Sequence, residues 1–323
     1  MKLAFAGLRH AHIFGLYDAA MNHANVAVVG AWEEDAAARD AARARMDEPF
    51  YARFEDLLAD ETIDAVAVGD YYGVRHDRIV RALKAGKDVI CDKPLCISQP
   101  ELDEIERLSL EKQLHVDCML DLRYDPAVNL ARRLVREGRL GAIHAVDFTG
   151  QHPLSYGTRP MWYFEAGKHG GTINDIAIHG IDAIRYITGL ELVRPIAARE
   201  WNAFATEAPL FKDCAQFMAE FEGNMGVAAD VSYAAQTATA FAMPSYWRFT
   251  LWGDEGALEF KVGEGHAVFA ARGSDVIETL EAPAVSGGWL HDFLRPFDAE
   301  RQKDTFASQR AVLRIEEAAR QGA

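Results

Sequence analysis

The chain has 323 residues, half of them hydrophobic and 26% charged, with 34 Lys and Arg against 49 Asp and Glu. That length allows two ordinary domains, and a formal net charge of −15 argues against general nucleic-acid or anionic-membrane binding. No apolar run reaches the length of a membrane span, the N-terminus lacks a signal-peptide pattern, and Cys91, Cys96, Cys118 and Cys214 have neither zinc-knuckle nor CxxC spacing; the expectation is a cytoplasmic protein with reduced thiols.

Short apolar runs predict strands over 2–6, 26–32, 65–69, 88–91 and 115–119. Helical spacing lies between them, in Ile13, Leu16, Tyr17 and Ala20, and again in Leu102, Ile105 and Leu108. Strands alternating with helices imply βαβ units and a parallel doubly wound sheet. The first strand runs into LAFAGLRHAHIFGLYDAA, residues 3–20. Gly7 stands where a dinucleotide-binding turn needs its first glycine, for the tight bend. Arg9 and His12 stand where the second and third glycines belong. Arg9 points outward or lays its guanidinium along phosphates. His10 and His12 also spell His-x-His, which in metal-dependent hydrolases closes the first strand of an eight-stranded barrel.

The second strand ends in Glu33-Glu34-Asp35. A dinucleotide fold expects an acid ~20 residues past the turn, on the ribose hydroxyls. Glu33 fits that place, and an acid there repels a 2′-phosphate, favouring NAD over NADP. The plainer reading makes these acids the N-terminal charges of the next helix. The fourth strand ends in VICDKPL, residues 89–95. A lysine at a strand's carboxyl end lies where open α/β sheets bind ligands, although most lysines are simply surface residues.

Near residue 120 the rhythm changes, dividing the chain into 1–120 and 121–323. Helices are predicted over 128–137 and 172–188, then strands over 215–221, 226–233, 246–252 and 257–261, and a closing helix over 308–320. Gly223-Asn224 and Asp254-Glu255-Gly256 read as hairpin turns. Consecutive strands imply an α+β domain with a large, mostly antiparallel open sheet. Residues 158–169, TRPMWYFEAGKH, offer Arg159, Trp162, Tyr163, Lys168 and His169. Aromatic faces and charged donors suit a hydroxylated ring, and core packing is the other reading of Trp162. In GGTINDIAIHGIDAIRYITG, residues 170–189, Asp175 and His179 are four apart and share a helix face. A histidine with a carboxylate one turn away is a plausible oriented base. Asp182 is expected to pair with Arg185.

With these residues in place, the chain resembles the Gfo/Idh/MocA oxidoreductases, the glucose–fructose oxidoreductase and inositol dehydrogenase type. Asp92-Lys93-Pro94 is similar to the family's Glu-Lys-Pro, with aspartate replacing glutamate. Gly170, Gly171, Asp175, His179 and Asp182 follow its Gly-Gly-…-Asp-x-x-x-His-x-x-Asp motif. RYDPAVNLARRLVREGRLGAI, residues 123–143, and the closing DTFASQRAVLRIEEA resemble its first helix after the nucleotide domain and its last helix. Its Thr-Pro-Asn loop is here Gly69-Asp70-Tyr71-Tyr72-Gly73. The resemblance implies an NAD(P)-dependent dehydrogenase, with an N-terminal Rossmann domain and a second, substrate-binding domain. It places catalysis on Lys93, Asp175 and His179. Lys93 would bond the reacting oxygen, His179 would be the general acid/base, and Asp175 would position it or the substrate. Cofactor contacts would fall on Gly7, Arg9, His10, His12, Glu33, Asp70, Tyr71, Asp92 and Lys93. Substrate contacts would fall on Arg123, Arg159, Trp162, Tyr163 and Lys168. The expected ligands are NAD and a small sugar or cyclitol, with no metal, nucleic acid or membrane. A homodimer or homotetramer through the second domain's sheet is expected by analogy. The alternatives are a non-catalytic, ligand-sensing relative of the same fold, and the His10/His12 metal hydrolase.

Overall fold

The computed structural model describes residues 1–236 and 242–322. The chain forms two compact units. The first comprises Met1–Met119, Pro160–Gly170 and Gly288–Gln309. In chain order it holds β1 (Lys2–Ala6), α1 (Ile13–Met21), β2 (Ala27–Trp32), α2 (Ala36–Ala42), α3 (Phe54–Ala59), β3 (Ala65–Val68), α4 (Tyr72–Lys84), β4 (Asp88–Cys91), α5 (Gln99–Lys112) and β5 (Val116–Cys118). Its sheet is parallel, in the order β2-β1-β3-β4-β5. β3 is buried at every position, as expected of a strand covered on both faces. Ile13, Leu16, Tyr17 and Ala20 are the buried stripe of α1; Leu102, Ile105 and Leu108 are buried in α5. Both stripes are the ones the helical spacing predicts.

The second unit comprises Leu120–Arg159, Gly171–Gly287 and Arg310–Ala323. It holds α6 (Pro126–Arg136), β6 (Ile143–Pro153), a π-helical turn (Ile173–Ala177), α7 (Ile178–Thr188), β7 (Leu192–Trp201), β8 (Cys214–Phe221), β9 (Met225–Ala235), β10 (Arg248–Gly253), β11 (Gly256–Lys261), β12 (His266–Ala271) and β13 (Ile277–Glu281). These strands form one eight-stranded sheet, β13-β12-β11-β10-β6-β9-β8-β7. Among the described residues, only the β6–β9 pair of this sheet is parallel. The β8–β9 hairpin turns at Gly223 and Asn224, with φ of +70° and +61°, and both residue types tolerate that left-handed conformation. α8 (Trp289–Phe293) belongs to the first unit, and α9 (Ala299–Gln321) has its first half counted there and its second half in the second.

Two open sheets of five and eight strands overturn the metal-hydrolase reading. That fold needs one closed barrel of eight parallel strands, and the described strands form none.

Candidate functional site

The first βα turn is built around two glycines. Gly7 has φ of +74°, and a Cβ on it would stand 2.5 Å from the Asp70 Cβ. The neighbouring Gly69 leaves room for Ile13 of α1. Backbone bonds close the turn: Gly7 N donates to Trp32 O (3.0 Å) and His10 N to Gly69 O (3.0 Å). The amides of Ala11 and His12, two exposed residues at the start of α1, make no hydrogen bond among the described residues. Such amides, at a helix N-terminus, suit an anion.

Arg9 turns towards acids. Its Nε lies 3.1 Å from Glu33 Oε1 and 3.4 Å from Asp70 Oδ1, and a terminal nitrogen lies 2.7 Å from Glu34 Oε1. Its guanidinium lies 5.1 Å from the centre of the Tyr71 ring. Glu33 is buried and accepts from three donors of its own surroundings: Leu8 N (2.6 Å), Arg9 Nε (3.1 Å) and Asp35 N (2.8 Å). The acid that spacing assigns to a ribose is therefore a brace of the turn, and the exposed acid beside it is Glu34. Burial raises the pKa of the Asp70 carboxyl, opposed by Arg9.

Asp92 follows β4 and is fully buried. Arg75 holds it: one guanidinium nitrogen reaches Asp92 Oδ2 at 3.0 Å, another reaches the carbonyls of Asp92 (2.8 Å) and Pro94 (2.9 Å), and Nε donates to Asp70 O (2.8 Å). Arg75 thus ties together the chain leaving β3 and β4. His10 Nδ1 touches Asp92 Oδ2, and His12 Nδ1 stands 3.5 Å from Oδ1. Burial pushes the His10 pKa down to about 4. Burial alone would raise Asp92, but His10 and Arg75 outweigh it and hold the carboxyl well below its usual range.

His10 Nε2 lies 2.6 Å from Tyr163 OH, which lies 3.0 Å from Tyr72 OH. Trp162 stacks on Tyr163 at 4.1 Å and donates from its indole to Arg9 O (3.3 Å). So Trp162 and Tyr163 are buried among residues of the turn. Lys168 pairs with Glu165 at 2.5 Å and lies 5.1 Å from the Tyr71 ring centre. Lys93 is also buried in this unit.

In the second unit, Asp175 lies in the π-helical turn and His179 in the first turn of α7. Tyr233 OH donates to Asp175 Oδ2. The His179 ring meets Trp247 edge-on at 5.7 Å. Asp182 lies on α7, three residues before Arg185. It takes a bidentate bond from Arg123 (2.8 and 2.6 Å), while Arg185 pairs bidentately with Glu191 (2.7 and 2.6 Å). A planar fork matched to a carboxylate is the stronger arrangement. Arg159 donates to the carbonyls of Leu154 (2.9 Å) and Pro153 (2.7 Å).

Two acids that no motif marks hold the start of this helical segment. Ile173 N donates to Glu200 Oε1 (2.8 Å) and Asn174 N to Glu316 Oε2 (3.2 Å). Gly171, at φ of +114°, leaves the space that Glu316 fills. Burial first, and then Glu200, raises the Glu316 pKa well above normal.

Two family models match the chain: "Oxidoreductase family, NAD-binding Rossmann fold" over residues 4–120, and "GFO/IDH/MocA C-terminal domain" over residues 128–259. Levoglucosan dehydrogenase of Pseudarthrobacter phenanthrenivorans is 25% identical over 262 residues, 74% of this chain and 66% of that protein. Inositol 2-dehydrogenase of Rhizobium meliloti is 25% identical over 232 residues, 72% and 64% of the two chains. An uncharacterized oxidoreductase of Bacillus subtilis, YrbE, is 28% identical over 144 residues, 45% and 41%. These matches span between about two fifths and two thirds of the curated relatives' length. A crystal structure from Erwinia carotovora atroseptica superposes with a TM-score of 0.86 at 24% identity, covering 99% of this chain and 98% of that one. Levoglucosan dehydrogenase in complex with NADH and levoglucosan gives 0.80 at 20% identity, covering 100% and 98%. Both show the same fold. With one model on each half, the chain belongs to the Gfo/Idh/MocA family of oxidoreductases.

Proposed function

We propose that this protein is an NAD-dependent dehydrogenase, moving a hydride between the nicotinamide and a hydroxyl or carbonyl carbon of a sugar or cyclitol. The observation that carries the reading is the first βα turn. Gly7 is conformationally obligatory there, and the amides of Ala11 and His12 stand ready at the start of α1. These fit a diphosphate. The acids after β2 disfavour a 2′-phosphate, hence NAD over NADP. The substrate class follows relatives named levoglucosan dehydrogenase and inositol 2-dehydrogenase.

NAD, when bound, supplies the hydride acceptor. Lys93 would donate a hydrogen bond to the reacting oxygen, and His179 would take its proton. Asp175, held by Tyr233, would position substrate or His179. Thiol cysteines without a disulfide among the described residues fit a cytoplasmic location. The sheet face carrying the half-exposed Met218 and Trp252 would serve a homo-oligomer.

Lys93→Ala and His179→Ala test the assignment. Each is expected to lose roughly 10²–10⁴-fold in turnover while still binding NADH, measured by fluorescence titration. Unchanged activity in both would overturn it. A ligand-sensing relative would bind the nucleotide and turn over no polyol.

A further inference from the structure

We propose that His10, His12 and Asp92 form a site for one divalent transition ion of the zinc class, at the carboxyl ends of β1 and β4. Each residue contributes one ligand atom, and these atoms all lie within 4.8 Å of one another. The 3.5 Å between His12 Nδ1 and Asp92 Oδ1 is close to a tetrahedral edge, roughly 3.3–3.4 Å for ligands about 2.0–2.1 Å from zinc.

A second observation points to a ligand. Asp92 Oδ1 is a buried polar atom with no hydrogen-bond partner among the described residues, and His10 Nδ1 has only its close contact with the other oxygen of that carboxylate. Buried atoms of this kind are normally satisfied. Both belong to side chains at least nine-tenths buried, and both sit in the His10–His12–Asp92 cluster. An ion placed among them satisfies both at once and separates the close His10–Asp92 contact.

The surroundings are those of a supported metal site. Tyr163 OH, 2.6 Å from His10 Nε2, holds the far nitrogen of one ligand, and Arg75 holds the other carboxylate oxygen. Such outer partners fix ligand orientation. Arg75 also sets the selectivity. Its charge offsets that of Asp92, so the two imidazoles must supply the affinity. Nitrogen donors favour Zn2+, Co2+ and Ni2+ over Mg2+ and Ca2+. The His12 side chain is 51% exposed, which gives the ion an entry path and leaves one coordination position to water.

The test needs no nucleotide, so it stands apart from the dehydrogenase reading. Chelator-treated full-length protein is titrated calorimetrically with ZnCl2, and separately with MgCl2. The same is done for His12→Ala and for His144→Ala, which breaks an exposed His144–Asp254 pair elsewhere. The expected result is one Zn2+ per chain, no measurable Mg2+ binding, at least tenfold weaker Zn2+ binding in His12→Ala, and no change in His144→Ala. Circular dichroism confirms that His12→Ala, a half-exposed position, remains folded. Absence of Zn2+ binding, equal binding by His12→Ala, or loss confined to His144→Ala would overturn the proposal.

Discussion

Glu33 is a buried acid that braces the first βα turn. Its distance from the turn marks it as an acid at the right place, and the structure surrounds its carboxylate with Leu8 N, Arg9 Nε and Asp35 N. Those donors come together only when β1 and β2 pair, so no sequence interval reports them. Replacing Glu33 by Gln removes the charge and turns one oxygen into a donor facing donors. We expect Glu33→Gln to cost about 1–3 kcal/mol in urea unfolding of the ligand-free protein. The exposed neighbour Glu34→Gln should stay within about 0.5 kcal/mol. Equal midpoints for wild type and Glu33→Gln would contradict the bracing role. Lys93, Asp175 and His179, the proposed catalytic residues, stand out in the sequence because they lie in short motifs. Arg75, Tyr233, Glu200 and Glu316 carry no motif, because each acts through contacts that only the folded chain brings together.

At the scale of elements, the buried stripes of α1 and α5 were readable from their periodicity, and so were the five strands of the parallel sheet. β7 was missed because Pro195 and two register shifts break its alternation. β13 was missed because its two apolar residues, Ile277 and Leu280, are three apart and do not alternate as a strand's should. The segment with Asp175 and His179 reads as one helix, yet it begins as a π-helical turn. Its start is held by Glu200 from β7 and Glu316 from α9, with Arg320 3.3 Å from Glu316. Glu316 has a raised pKa in the folded protein, so the folded state keeps a proton that the unfolded chain releases from about pH 4.5 upward. Its stabilising contribution is therefore complete below that pH and is lost as pH rises towards the folded value. Glu316→Gln, always neutral, should flatten this decline. Thermal midpoints at about pH 5 and about pH 8 should differ less in the variant than in wild type. Identical differences would show that Glu316 does not carry the proton.

For the whole molecule, the change from alternating strands and helices to consecutive strands was enough to foresee a parallel and a mostly antiparallel sheet. The return of residues 160–170 and 288–309 to the first unit was not foreseeable. Composition does not say where a short aromatic segment or half a helix will pack. Trp162 and Tyr163 illustrate this: their chemistry suits a sugar, and their burial beside His10 and Tyr72 makes them part of the first unit's packing. The first βα turn, with one glycine of three, is proposed to receive NAD all the same. Titrating wild type and Gly7→Ala with NADH and NADPH, read by nicotinamide fluorescence, tests it directly. Saturable NADH binding by wild type is expected, with weaker NADPH binding and at least a tenfold loss in Gly7→Ala, whose Cβ has no room beside Asp70. Binding of neither nucleotide, or undiminished binding by Gly7→Ala, would contradict it.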